Sequence, residues 1–497
     1  MSFAARLAAL GRGRADAESL AQLARAALAE GEEEAALGLL APAAEGLGDA
    51  RLWQWTALLH RALDAHDAAL AAFARAAGLA PEDASIAHGR AHCALEAGID
   101  ALPLFEIARR LAPGNGDVLI GRAAAQLAAG QGEAAAAELD AVLLQAPLWL
   151  QGHAQLAQMR AMLGRADQAT ASLDRALAAA PREPALWHAL FALHLRREDY
   201  AALDAAVARS ADVPEIEALR REHEAITAAE LGDRARADRL FADAPVTLAL
   251  WHIRHLLRSG RVEAALPLID RELASDRAAA VWPYAAAAWR LAGDPRSAWL
   301  EAPGLVSVQD LPDLPPLDQL AAHLRSLHVA KGEYLDQSVR GGTQTDGPLL
   351  SRIDPLLRAT RAAIEAAVRR HVAQLPPPDP AHPLLGPRRD RRIRFAGSWS
   401  VRLAGAGFHA NHVHPQGWIS SALYVALPER APDEPADAGW LTLGEPQAGL
   451  GLDLPPTRLV EPRPGRLVLF PSWMWHGTRP FAAGERLTIA FDVAPPR

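Results

Sequence analysis

Residues 408–429 read FHANHVHPQGWISSALYVALPE, and the candidate chemistry of the chain gathers there. His412 and His414 stand two apart. In an extended strand alternate side chains share a face, so both imidazoles can reach one metal ion. His409 lies at odd spacing from His412 and is expected on the opposite face. The next run, SALYVAL, has strand character. Residues 465–481 read GRLVLFPSWMWHGTRPF: a strand (RLVLF), a turn at Pro471, then His476, which suits delivery of a third histidine from an adjacent strand. Arg486 opens a further strand, RLTIAFDV, and Thr488 falls on the same face of it. Taken singly, each histidine is more often a hydrogen-bonded core residue than a ligand. Taken together, three histidines and an arginine on short strands predict a metal site in a β-rich domain.

Outward from this region the chain changes character. SWSVRL, just upstream, is another short strand. Residues 374–388 (QLPPPDPAHPLLGPR) are a Pro-rich break, and the run RRDRRIR at 388–394 is expected to be a solvated approach to the β domain. The segment DPLLRATRAAIEAAVRRHVAQL reads as a supporting helix. Residues 301–330, Pro-rich at 302–317 (APGLVSVQDLPDLPPL), are expected as a linker. The boundaries expected are 1–300, 301–330 and 331–497.

The first 300 residues are rich in Ala, Leu, Arg and Glu, a composition that favours helix. Ala-Pro pairs close successive segments at Pro81, Pro113, Pro147 and Pro181, with spacings of 32, 34 and 34, and Gly98, Gly130 and Gly164 recur in step. This repeat resembles the tetratricopeptide family, whose unit is two antiparallel helices in about 34 residues. The resemblance places Trp53, Ala69, Phe73 and Ala76 in one unit and Leu156, Ala157, Ala169, Leu173 and Ala176 in another, with Trp187 opening a third. Small residues would let paired helices approach, Phe73 and Leu173 would fill the space between pairs, and each proline would stop a helix. From about 200 to 298 the pattern blurs, and degenerate repeats are expected. Such solenoids usually hold a peptide or partner on the concave face, although a purely structural spacer is the alternative.

The C-terminal motifs are similar to the 2-oxoglutarate and Fe(II)-dependent oxygenase superfamily, which carries a His-x-acid pair, a distal histidine and a later basic residue. They resemble still more a bacterial subgroup of these oxygenases that often follows tetratricopeptide repeats. The blocks that carry this likeness are residues 335–345 (LDQSVRGGTQT), 397–428 and the segment ending in Phe481. The resemblance implies an all-α solenoid followed by a double-stranded β-helix (jelly-roll) domain with support helices. It implies Fe(II) and 2-oxoglutarate as cofactors, His412, His414 and His476 at the metal, and Arg486 with Thr488 on the distal carboxylate of 2-oxoglutarate. A guanidinium can bind such a carboxylate through two parallel hydrogen bonds. Tyr424 is a further candidate to hydrogen-bond 2-oxoglutarate, Arg402 a candidate substrate or co-substrate contact, and Asn411 a candidate to orient a ligand. Gly341 and Gly342 resemble a backbone loop near the site.

The superfamily's acid position is His414 here. Either three histidines bind iron, or His412 and His476 bind it and water fills the third place. Three neutral imidazoles are sound Fe(II) ligands but lack a carboxylate's charge. The implied reaction converts 2-oxoglutarate and oxygen to succinate and CO2 while hydroxylating a substrate, here a protein or peptide side chain chosen by the repeats. Two other readings stay open. A cupin-like dioxygenase independent of 2-oxoglutarate would normally carry a glutamate just beyond the pair, and PQGWIS has none. A non-catalytic adaptor or sensor would bind without turnover.

Composition bounds the rest. The 497 residues exceed one ordinary core, and a net charge of −8 disfavours nucleic-acid binding, which needs clustered Lys and Arg. Cys93 is the sole cysteine, which excludes an intrachain disulfide and fits a reducing compartment such as the cytoplasm. The first residues lack a secretory apolar run, and no membrane span is expected.

Overall fold

The computed structural model describes residues 1–10, 16–335 and 338–496. Asp336 and Gln337, within the LDQSVRGGTQT block, lie outside the described residues.

The N-terminal chain forms stacked antiparallel helix pairs, as the repeat predicts. Ala50–Ala62 pairs with His66–Leu79, Ala84–Glu96 with Leu102–Leu111 and Gly116–Ala128 with Gly132–Gln145, while Leu150–Met162 is tied to Ala171–Ala179 by His153 Nδ1 and Ser172 Oγ, 2.8 Å apart. Ala69, Phe73, Ala76, Leu156, Ala157 and Ala169 are buried in full. Phe73 fills the gap to the next pair: a Cβ added at Gly89 would sit 2.7 Å from its ring. The Ala-Pro pairs end the second helices, with Ala80, Ala112, Ala146 and Ala180 as C-caps. The proline carbonyls then take a role of their own. Those of Pro147 and Pro181 accept from His153 Nε2 (2.9 Å) and Trp187 Nε1 (2.8 Å), residues 34 apart. In the blurred region the pairing continues, with Glu217–Glu230 on Arg234–Ala242 and Ala249–Arg258 on Val262–Leu273.

The recurring glycines sit at the turn inside each pair, where the chain reverses through a left-handed residue. Gly31, Gly98, Gly130, Gly164 and Gly232 all have positive φ, and so, in step with them, do Asp64 (φ 55°) and Glu198 (φ 52°). Glycine takes this conformation without steric cost, whereas Asp64 and Glu198 do not.

The C-terminal chain forms nine described strands: β1 (Ser307–Asp310), β2 (Val339–Gln344), β3 (Phe395–His409), β4 (Ile419–Ala426), β5 (Leu441–Leu443), β6 (Arg458–Val460), β7 (Arg466–Pro471), β8 (His476–Thr478) and β9 (Glu485–Val493). One sheet runs β1-β7-β4-β9-β3-β2 and a smaller one β6-β5-β8, with every pairing antiparallel. This is a jelly-roll arrangement. Alternation along β9 positions the site. Leu487, Ile489, Phe491 and Val493 pack in a core with the supporting helices Leu317–Leu327 and Pro355–Gln374, through Leu320, Leu324, Leu357 and Ile364. Arg486, Thr488 and Ala490 are thereby turned to the interior, where they line a cavity between the sheets.

Two expectations are corrected here. Residues 301–330 are no free linker: β1 pairs with β7 from Ser307↔Leu469 to Asp310↔Arg466, and Leu320 and Leu324 are fully buried. The prolines there bracket elements that the sheet edge and core recruit. The basic run is not a solvated approach either. Arg391 pairs with Glu32 (2.6 Å), Arg394 Nη1 donates to Glu33 (2.9 Å) and Arg392 to Leu63 O (3.1 Å). Nearby, Arg361 donates to Asp64 O (3.1 Å) and Ile353 N to Ala97 O (3.0 Å). Lys331 N reaches Met162 O (2.7 Å) and Trp475 Nε1 reaches Pro283 O (3.0 Å). The β domain is thus seated along the row of turns of the solenoid. Among the described residues no helix is long and apolar enough to cross a membrane.

Glu33 is only 1% exposed, so removing its arginine leaves a buried carboxylate without its cation. Arg394→Ala is expected to cost about 3 kcal/mol, since breaking one side of a buried pair costs about 3–5 kcal/mol and Arg394 is partly solvated. Guanidinium unfolding checks this. A midpoint equal to that of the unmodified protein would show that the clamp contributes nothing.

Candidate metal centre

His412 and His414 do not lie in a regular strand. Strand β3 ends at His409, the chain bends, and His412 joins His476 through an isolated bridge. The two residues exchange backbone hydrogen bonds: His412 N donates to His476 O (2.9 Å) and His476 N to His412 O (3.0 Å). His414 N donates to Ser472 O (2.9 Å). These bonds bring one nitrogen from each of His412, His414 and His476 within 4.8 Å of one another.

The outer ring nitrogens decide which atoms remain. His412 Nδ1 lies 2.8 Å from Ala410 O, and His476 Nδ1 lies 3.0 Å from Met474 O. A carbonyl only accepts, so each Nδ1 carries the proton and each Nε2 presents a lone pair. His414 Nδ1 faces both oxygens of Asp492, at 2.8 and 2.7 Å. Burial, reinforced by the neighbouring histidines, holds His412 and His476 well below the usual imidazole range, which keeps them in the neutral, ligating form. Ser338 Oγ lies 3.1 Å from His412 Nε2.

Arg486 is 3% exposed and shares the inner cavity with the histidines, Thr488, Gln344 and Phe470. Its Nη1 donates to Gly439 O (2.6 Å), and its guanidinium lies 4.9 Å from the centre of the Tyr424 ring. Among the described residues its buried Nε has no hydrogen-bond partner, nor has Gln344 Oε1. A buried cation with an unsatisfied donor facing a cavity calls for an anionic acceptor. The donor set therefore fits both groups that the sequence resemblance implies: three imidazole lone pairs suit Fe(II), and the guanidinium suits a carboxylate.

The other sequence candidates fall differently. Tyr424 is fully buried against the Arg486 guanidinium and is not on the cavity wall. Arg402 is turned outward and paired with Glu485, so it is not at the site. Strand alternation sends it away: Val401 and Leu403 take the inner face. Asn411 lines the outer cleft, where its Oδ1 accepts from Thr442 Oγ1 (3.1 Å) and its Nδ2 donates to Pro446 O (3.3 Å). His409 corrects the parity expectation. The bend after β3 cancels the alternation, and His409 lines the same cavity with its ring 6.1 Å from that of His412. Burial and the Arg486 guanidinium push its pKa down to about 3. Gly341 has positive φ and lies in β2 beside the β3 end, whereas the cavity walls take Val339 and Gln344 from that strand. Sequence reasoning missed Trp399, whose ring is 5.6 Å from His414, and Asp492. Asp492 had a signal: it is the one acid inside the apolar run of β9, at even spacing from Arg486.

The inner cavity opens into a cleft of about 700 Å³. One wall is the metal-centre loop with Trp399 and Phe408; the other is the solenoid at Arg197, Glu198 and Tyr200.

A family model described as "Putative 2OG-Fe(II) oxygenase" matches residues 397–492. No curated protein matches the chain. Solved structures similar to parts of it include YrrB, a TPR protein with an unusual peptide-binding site (19% identity, covering 37% of this chain and 97% of that one, TM-score 0.29). A Pseudomonas putida prolyl-4-hydroxylase is 21% identical, covering 39% of this chain and 95% of that one (TM-score 0.27). A tetratricopeptide repeat protein from Parabacteroides merdae is 14% identical, covering 44% and 89% (TM-score 0.32). The C-terminal part thus carries a match to a 2OG-Fe(II) oxygenase domain, which implies Fe(II) and 2-oxoglutarate as cofactors and is consistent with the cluster of three histidines, and it follows a tetratricopeptide-type helical repeat.

Proposed function

We propose that this protein is a hydroxylase of protein or peptide side chains. In this reading His412, His414 and His476 hold Fe(II), Arg486 and Thr488 hold the distal carboxylate of 2-oxoglutarate, and the substrate lies in the cleft against the solenoid. The repeat occupies residues 1–300 and the oxygenase domain 331–497, with residues 301–330 lending the latter a strand and a helix. The observation that carries the reading is the shared cavity, which holds three converging imidazoles and one buried arginine with an unsatisfied donor.

When bound, iron and 2-oxoglutarate supply the oxidising power that turns oxygen and the keto acid into succinate, CO2 and a hydroxylated substrate. The chain's own residues do the rest. Carbonyls at Ala410 and Met474 keep the Nδ1 protons away from the metal side. Arg486 neutralises a carboxylate that would otherwise be buried unpaired. Leu441, Phe470 and Trp399 line the cavity and limit water around it. A polypeptide substrate is supported by the cleft's second wall, since a small metabolite would need no solenoid beside it.

Anaerobic titration with Fe(II) and then 2-oxoglutarate should produce a weak visible charge-transfer band. His476→Ala should abolish it. Arg486→Ala should keep iron binding but weaken 2-oxoglutarate by about 10- to 100-fold, because a charged hydrogen bond contributes about 1.5–3 kcal/mol. Iron binding without any oxoglutarate-dependent band would sink the assignment.

Peptides retained by a His476→Ala trap should gain the mass of one oxygen when incubated with wild-type protein, Fe(II), 2-oxoglutarate and oxygen. Succinate must appear with them. A protein that binds both cofactors but releases no succinate is a sensor, and the proposal then fails.

A further inference from the structure

We infer that Asp492 is a positioning residue for the metal, supplying through His414 a negative charge that three neutral imidazoles lack. The inference rests on the three-histidine site proposed above. Asp492 is 9% exposed, in β9 opposite Ser420 of β4. Burying a carboxylate is costly unless a cation pairs with it. Among the described residues no lysine or arginine pairs with Asp492, and its one ionisable partner is His414. Ser420 Oγ lies 2.5 Å from its Oδ1, and this hydroxyl adds a hydrogen bond but no charge. Of the other acids lining the cleft, Glu230 pairs with Arg254 and Arg258 and Glu445 with Arg479, while Glu198 stands on the solenoid wall.

The three imidazoles are not equivalent. The Nδ1 protons of His412 and His476 meet neutral carbonyls, which set the tautomer and nothing more. His414 alone meets a carboxylate, with both oxygens in reach. A carboxylate behind an imidazole raises the basicity of its far nitrogen and orients the ring, and loss of such a partner typically weakens metal binding about 10- to 100-fold. The absent cation of Asp492 and the uncompensated charge of a divalent ion on three neutral ligands are therefore complementary, one imidazole apart. The chain passes close at Gly417, where a Cβ would lie 2.5 Å from Ser472 Oγ and 3.3 Å from the Cβ of Asp492.

The test is Co(II) titration of the full-length protein by calorimetry, with thermal unfolding of each variant metal-free and Co(II)-loaded. Asp492→Asn should bind Co(II) about 10- to 100-fold more weakly. Its metal-free unfolding temperature should equal or exceed that of wild type, because an uncompensated charge has been removed, and its gain on adding Co(II) should shrink. Asp492→Glu should recover part of the affinity. His414→Ala should bind more weakly than Asp492→Asn. Equal affinity in Asp492→Asn and wild type would overturn the inference while leaving the hydroxylase reading intact. So would a metal-free Asp492→Asn that unfolds early, which marks a structural role. Tight binding by His414→Ala with none by Asp492→Asn would make Asp492 a direct ligand and also overturn it. A wild-type protein that ignores Co(II) overturns both readings.

Discussion

The reciprocal backbone bonds between His412 and His476 hold the site together. They are two ordinary amide hydrogen bonds, at 2.9 and 3.0 Å, made outside any regular ladder. They close the mouth of the barrel by fastening the bend after β3 to β8. All three candidate ligands depend on that closure. His412 and His476 are its two ends, and His414 follows one strand-length step later, secured at Ser472. A small sheet of three-residue strands would be a weak support by itself. Here it is backed by a core in which Trp475 and Phe470 pack with Tyr284 of the solenoid.

That core shows why the solenoid is more than an appendage. Its row of left-handed turns faces the β domain, and turns expose backbone carbonyls. Arginines of the β domain take several of them, at Gly31, Leu63 and Asp64. Further along, the turn at Glu198 faces the candidate metal centre across the cleft. Glu198 stands there, a non-glycine residue in the strained conformation that its counterparts give to glycine. Asp64, the other such residue, spends its carboxylate on Arg361. The same periodic feature thus fastens the two parts together at one end and forms one wall of the cleft further along.

Inside the barrel, one strand sets the charge pattern. Arg486 and Asp492 both belong to the interior face of β9, and the odd residues between them belong to the core. A buried cation stands at one end of the cavity and a buried anion behind His414 at the other. Among the described residues neither pairs with a side chain of fixed opposite charge, and Asp492 meets only the imidazole of His414. A dicarboxylate and a metal ion would answer both.

The sequence by itself determined the two-part architecture, because a 34-residue repeat and period-two strands are local patterns that tertiary packing has little freedom to overturn. It also singled out His412, His414, His476 and Arg486 as candidates by residue type and order, and the fold brings them to one cavity. Tertiary structure decided what local period cannot express. The bend after β3 carried His409 into the cavity against its parity, and alternation about β3 carried Arg402 out of it. Partners distant in sequence turned a basic run into a clamp and a proline-rich stretch into an edge strand. Asp492 became a neighbour of His414 only because β9 runs antiparallel to β4 and sets it opposite Ser420, a pairing across 72 residues that no spacing rule along the chain encodes.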